Sequence, residues 1–153
     1  MFERMTEEAR WVVRRGQEEA HALGATAIEA EHLLVAVAER SGSPAQELLD
    51  QAGLTPERLR GLVVEERARS LRSVGVEPVA PVPSSGELRL ATSAKNVLRR
   101  AVGHARRGAT RGIDLSRLLR GILEQEVGTV PRVLALAGVD RPALIAALAD
   151  EAA

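Results

Sequence analysis

The sequence predicts an all-α fold of two tandem, pseudo-twofold-related four-helix repeats, and three observations carry that prediction. Apolar residues recur at spacings of three and four, the period of a helix with one buried face. Hydroxyl residues and Ser-Pro or Thr-Pro pairs mark helix starts, and glycines mark several ends. The second half of the chain also repeats the first at a constant offset of 85 residues.

The first helix should begin at Thr6, whose hydroxyl can cap free N–H groups, with Glu7 and Glu8 in a first turn that favours acids. Its stripe is Ala9, Val12, Val13, Gly16 and Ala20, and Leu23-Gly24 ends it. A second helix over 29–39 buries Leu33, Leu34 and Val37 before Ser41-Gly42 breaks it. Ser43-Pro44-Ala45-Gln46 is a compact start signal, with serine as cap, proline first and glutamine placed to close a capping box. That helix carries Leu48 and Leu49 and stops at Gly53, after which Thr55-Pro56 launches a fourth through Leu59, Leu62 and Val63 to about Ser70. Residues 71–88 then crowd Pro78, Pro81, Pro83, Gly75 and Gly86 into a linker between a first repeat over 1–70 and a second over 89–153.

Shifting the chain by 85 residues without a gap lays Ala9 on Ala94, Val12 on Val97, Arg14-Arg15 on Arg99-Arg100, Ile28 on Ile113, Leu33-Leu34 on Leu118-Leu119 and Ala52-Gly53 on Ala137-Gly138. Residues 4–66 and 89–151 share 15 identities in 63 pairs, where chance supplies about four, so duplication is the better account. Helices are expected near 92–107, 114–125, 130–137 and 141–150. Neither unit has a rich core, and packing one against the other would supply the missing burial.

Composition excludes several function classes. Cysteine is absent, which removes thiol catalysis and thiolate metal sites and fits a reducing cytosol. No phosphate-binding loop occurs, the histidines His21, His32 and His104 stand singly, and Ser43 already has a structural task as a cap. No catalytic site, metal or cofactor is expected. Residues 89–120 carry nine basic side chains against the single acid Asp114, although the formal net charge is zero. That polarity can steer an acidic partner. It also leaves a nucleic-acid-binding alternative, weakened by the neutral total and by the lack of stacking aromatics in the basic stretch.

The only aromatic residues are Phe2 and Trp11. On a helical wheel Trp11 points away from the apolar stripe, alongside Arg14, Arg15 and Glu18, so either the other repeat or a partner should cover it. Phe2, ahead of the first helix, either staples onto it or stays available to a ligand.

Several stretches resemble the amino-terminal repeat domain of the Clp ATPase chaperones, especially its ClpC branch: Met1-Phe2-Glu3-Arg4-Met5-Thr6-Glu7-Glu8-Ala9-Arg10, Gln17-Glu18-Glu19-Ala20, Leu23-Gly24 and Glu31-His32-Leu33-Leu34. The resemblance spans the whole chain and implies a double four-helix unit that receives adaptor or substrate proteins of a chaperone–protease and hydrolyses nothing. It also implies two candidate surfaces. Phe2, Trp11, Leu90 and Lys95 would form one for peptides or cyclic peptide antibiotics, with Leu90 replacing a usual aromatic residue. Thr6 and Glu31 would form a phosphoarginine site in the first repeat, silent in the second because Ala91 and Ser116 stand at the matching positions. The departures, with Met5 for phenylalanine, Gly16 for alanine and Ser116-Arg117 for a Glu-His pair, suggest a paralogue with a modified or reduced binding repertoire, and a monomer is expected. Its ends fit a free-standing regulator or decoy, favoured by the divergence, and equally a domain excised from a full-length Clp ATPase.

Overall fold

The computed structural model describes residues 2–108 and 112–151. Among these, a short 3-10 turn (Phe2–Arg4) precedes eight α-helices: α1 (Glu7–Ala22), α2 (Ala30–Glu39), α3 (Pro44–Gln51), α4 (Pro56–Ser73), α5 (Thr92–Arg107), α6 (Leu115–Leu123), α7 (Thr129–Ala137) and α8 (Arg141–Glu151). They form two four-helix repeats, with no sheet among the described residues. No described helix is long and apolar enough to cross a membrane.

Local chemistry sets most helix starts. Thr6 Oγ1 accepts from Ala9 N–H at 3.2 Å, Ser43 Oγ from Gln46 N–H at 3.1 Å and Thr55 Oγ1 from Arg58 N–H at 3.2 Å. Each closes one of the free donors of a first turn. Asp114 does the same for α6, accepting from Arg117 N–H at 2.9 Å.

The core lies between the repeats. In α2 every residue from His32 to Ala38 is buried, together with Ala30, as befits a helix enclosed on all sides. Its counterpart α6 buries Leu115, Leu118, Leu119, Ile122 and Leu123. These two helices pack on one another at the pseudo-twofold centre, with α1 against α2, α5 against α6, and α4 lying across α7. Each repeat thereby completes the other's apolar burial.

The repeats also exchange backbone. Met5 pairs in parallel with Ile113, and Ile28 pairs in parallel with Leu90. The first bridge is held by Thr6 N–H to Ile113 O at 3.0 Å and Ile113 N–H to Arg4 O at 2.8 Å; the second by Ile28 N–H to Arg89 O and Ala91 N–H to Ile28 O, both at 2.9 Å. The segment ahead of each repeat's first helix is thus stitched to the loop ahead of the other repeat's second helix.

The connection from α4 to α5 runs back along α1. Ser84 N–H donates to His21 O at 2.9 Å, His21 Nε2 meets Gly86 O at 2.5 Å, and Leu88 N–H donates to Gln17 Oε1 at 2.9 Å. Gly24 admits this strap: its φ is +66°, and a Cβ there would stand 2.3 Å from Val82 O.

Candidate functional site

The strap forms one wall of a cleft of about 450 Å³. The others are the loop 23–27, the first turn of α2, the second half of α4 and the first turn of α7. Leu23, Val63, Leu71, Pro78, Val79 and Pro81 make its sides apolar, while Glu29, Glu31, Glu66, Arg67 and Arg132 supply charge. Two of those charges are already engaged, because Arg132 of α7 donates to Glu66 of α4 at 2.5 Å across the repeats, and Ser70 Oγ donates to the same oxygen at 2.6 Å.

Glu31 is, like Glu29, a half-buried acid of this cleft. Burial pushes its carboxyl up to about 7, and the neighbouring Glu29 and Glu66 act in the same direction against its own backbone N–H and Arg132. Beside it, burial and then Arg67 lower the His32 imidazole to about 4. His32 is therefore neutral at physiological pH, with Nδ1 accepting from Glu29 N–H at 2.9 Å.

Thr6 and Glu31, the pair expected to form a first-repeat phosphoarginine site, follow two different bridges between the repeats. Thr6 is exposed and stitched to Ile113, with its methyl close to Gly112, so it belongs with the start of α6. Glu31 stands in the first turn of α2, stitched through Ile28 to Leu90 and Ala91, and so belongs with the start of α5. The exchange of backbone segments crosses the pairs. The hydroxyls lining the cleft with Glu31 are those of Thr26, Ser70 and Thr129.

The residues expected on a peptide surface differ in exposure. Trp11 does not stand clear of the core: it is half-buried and packs against core residues, and the Arg40 guanidinium, just past the end of α2, lies 5.2 Å from its ring centroid. Its cover thus includes a residue of its own repeat. Leu90 is half-buried in the bridge to Ile28, and Lys95 is exposed on α5. The Phe2 side chain lies outside the described residues.

Sequence reasoning missed Glu29, Glu66, Arg67, Thr129 and Arg132 as cleft residues. They come from two helices, α4 and α7, and the cap of a third, α2, and no periodicity or spacing links them. It also missed a partly buried ion network centred on the buried Glu19. Arg60 of α4 grips Glu19 of α1 through Nε at 3.1 Å and Nη2 at 2.7 Å and reaches Glu39 at 2.5 Å, while Arg15 holds Glu39 at 2.6 Å. Burial opposes ionisation of Glu39, but the hydrogen bonds from Arg15 and Arg60 hold its carboxyl below the usual range. In the second repeat the matching positions are His104 for Glu19 and Ile145 for Arg60, and Glu124 meets His104 instead. Among the described residues no group of three or more His, Cys, Asp or Glu could hold a metal ion.

Comparison with known proteins follows the same architecture. The family described as the Clp repeat (R) N-terminal domain matches residues 4–137. An ATP-dependent Clp protease ATP-binding subunit ClpA homolog of Cyanidium caldarium is 30% identical over 145 residues, which is 94% of this chain and 16% of that relative. The chain therefore spans a small part of its length. Among solved structures, the N-terminal domain of the caseinolytic protease associated chaperone ClpD from Arabidopsis thaliana is similar with a TM-score of 0.76 at 24% identity, covering 99% of this chain and 96% of that one. The Hsp104 N-terminal domain from Candida albicans is similar with a TM-score of 0.63 at 18% identity, covering 94% and 88%.

Proposed function

Because the chain belongs to the Clp repeat N-terminal domain family, we propose that it is a protein-binding module whose inter-repeat cleft takes a basic side chain of an adaptor or substrate. As a member of that family it is non-catalytic. The observation that supports the cleft is Glu31, a carboxyl facing apolar walls while the neighbouring Glu66 is already held by Arg132. Its preferred occupant is an arginine-type side chain, because a guanidinium arriving in that setting relieves the desolvation and repulsion that disfavour the anion. For a phosphorylated arginine, Arg67 and the hydroxyls of Thr26 and Thr129 supply donors to the phosphoryl group. The setting is the cytosol, and the task is regulation of a ClpC-type chaperone–protease through its adaptors, its substrates or cyclic peptide ligands.

Calorimetric titration with a phosphoarginine peptide, an unmodified arginine peptide and a citrulline control tests this reading. One site is expected, lost in Glu31→Gln and unchanged in Ser116→Ala. Two equivalent sites, or binding that survives Glu31→Gln, overturn it.

A further inference from the structure

A second surface, separate from the cleft, emerges when α5 is set against α1. At the 85-residue offset the four acids of α1, Glu7, Glu8, Glu18 and Glu19, become Thr92, Ser93, Gly103 and His104. The cations survive: Arg10 becomes Lys95, and Arg14 and Arg15 become Arg99 and Arg100. His21 and Ala22 become Arg106 and Arg107, so two more cations are added. One helix of the duplicated pair has lost every acid and gained charge, while the other has kept a balance.

The partners of these cations have changed as well. In α1, Arg15 is engaged by Glu18 and Glu39. In α5, Arg99 donates to Asn96 Oδ1 at 3.0 Å, Arg107 to His104 Nδ1 at 2.9 Å and Arg100 to Gly121 O at 3.4 Å. Among the described residues none of these three is paired with a carboxylate. They border an open depression of about 680 Å³ between α5 and the α6–α7 loop, into which Gly103 projects no side chain. Val127 on its rim is 84% exposed.

We propose that this depression docks an extended acidic segment of a partner protein, with carboxylates on the guanidinium groups and an apolar side chain on Val127. From Arg99 to Arg106–Arg107 the helix rises about 11 Å at 1.5 Å per residue. An extended peptide covers that distance in about three residues at 3.3 Å each, so the acids stand at positions i and i+3. The occupant is a protein segment and not a nucleic acid, because no aromatic side chain lines the depression to stack on a base, while the exposed Val127 offers contact to an apolar side chain.

Fluorescence polarisation on the whole chain tests this, using a labelled Glu-Leu-Ala-Glu peptide, its glutamine counterpart and a labelled DNA duplex. The acidic peptide is expected to bind with an affinity that falls as salt rises. Arg99→Glu with Arg107→Glu should weaken it at least about tenfold with an unchanged helical circular-dichroism spectrum. A lysine version of the peptide should regain affinity for that double variant, and Glu31→Gln should leave the acidic peptide bound, which separates this surface from the cleft. Equal binding of the glutamine peptide, indifference to the charge reversal, or tighter binding of the duplex overturns the proposal.

Discussion

Met5 pairs in parallel with Ile113, and the 85-residue shift carries that pair onto Leu90 and Ile28, which pair in the same way. Each repeat therefore holds the start of the other's first helix, and α2 packs on α6 between them. Unfolding should be a single cooperative transition. The lone tryptophan, Trp11, reports on the first repeat, whereas far-UV ellipticity reports on both. Their thermal midpoints should coincide, and two separated transitions would show that the repeats are independent units.

Ser93 caps a helix to which it does not belong. Its hydroxyl, on α5, accepts from Ala30 N–H at 2.9 Å at the start of α2 and donates to the Glu29 carboxylate. Ser93→Ala removes both interactions and should destabilise the chain by about 1 kcal/mol. Its exposed neighbour serves as control, with Thr92→Ala expected within about 0.5 kcal/mol of the parent. Urea denaturation of the two variants gives the comparison, and equal midpoints would remove the capping role.

Two helical glycines should respond unequally to alanine. A Cβ at Gly121 of α6 would stand 2.6 Å from Val97 O, a backbone atom of α5 that cannot yield without separating the helices. Gly121→Ala should therefore cost about 2 kcal/mol or more despite better helix propensity. At Gly16 of α1 the nearest obstacle is Leu33 Cδ2 at 2.9 Å, the end of a rotatable side chain. There the propensity gain of about 1 kcal/mol should largely offset the displacement of Leu33. Thermal melts ranking Gly16→Ala below Gly121→Ala would contradict this account.

The cleft predicts a specific pH dependence. Glu31, raised from 4.5 to about 7, favours folding while protonated, so its contribution is full below 4.5 and lost as pH rises through 7. His32, lowered from 6.5 to about 4, works in the other direction, contributing above 6.5 and losing that stability as pH falls toward 4. Glu31→Gln should consequently stabilise the chain at pH 8 relative to the parent and have little effect near pH 4.5. His32→Gln, which retains an acceptor for Glu29 N–H, should flatten the acid limb between pH 6.5 and 4. Melting temperatures across that range decide, and a Glu31→Gln curve parallel to the parent's would disprove the shift.

The helices were legible wherever their cause is local. Thr6, Ser43 and Thr55 cap donors three residues ahead, so hydroxyl and helix start sit within one reading window. The stripe through Ala9, Val12 and Ala20 shows α1's buried face in the same way. The wheel was less reliable for Trp11, because the residue over its ring, Arg40, stands at the far end of another helix. For α2 only part of the capping is local, in the box formed by Glu29 and His32, because the hydroxyl that accepts from Ala30 N–H arrives from Ser93, 63 residues away.

Eight helices and a duplication are legible along the chain itself. Those follow from the helical period and from contacts three or four residues apart, which any window along the chain contains. The tertiary structure alone decided which residues share a site. Thr6 and Glu31 stand at helix starts of one repeat, yet backbone exchange ties Thr6 to Ile113 and ties Ile28, ahead of the helix that carries Glu31, to Arg89 and Ala91. The physical reason is burial. Because α2 and α6 are apolar on nearly every side, each must be enclosed by both repeats, and that enclosure brings residues from distant parts of the chain into one cleft.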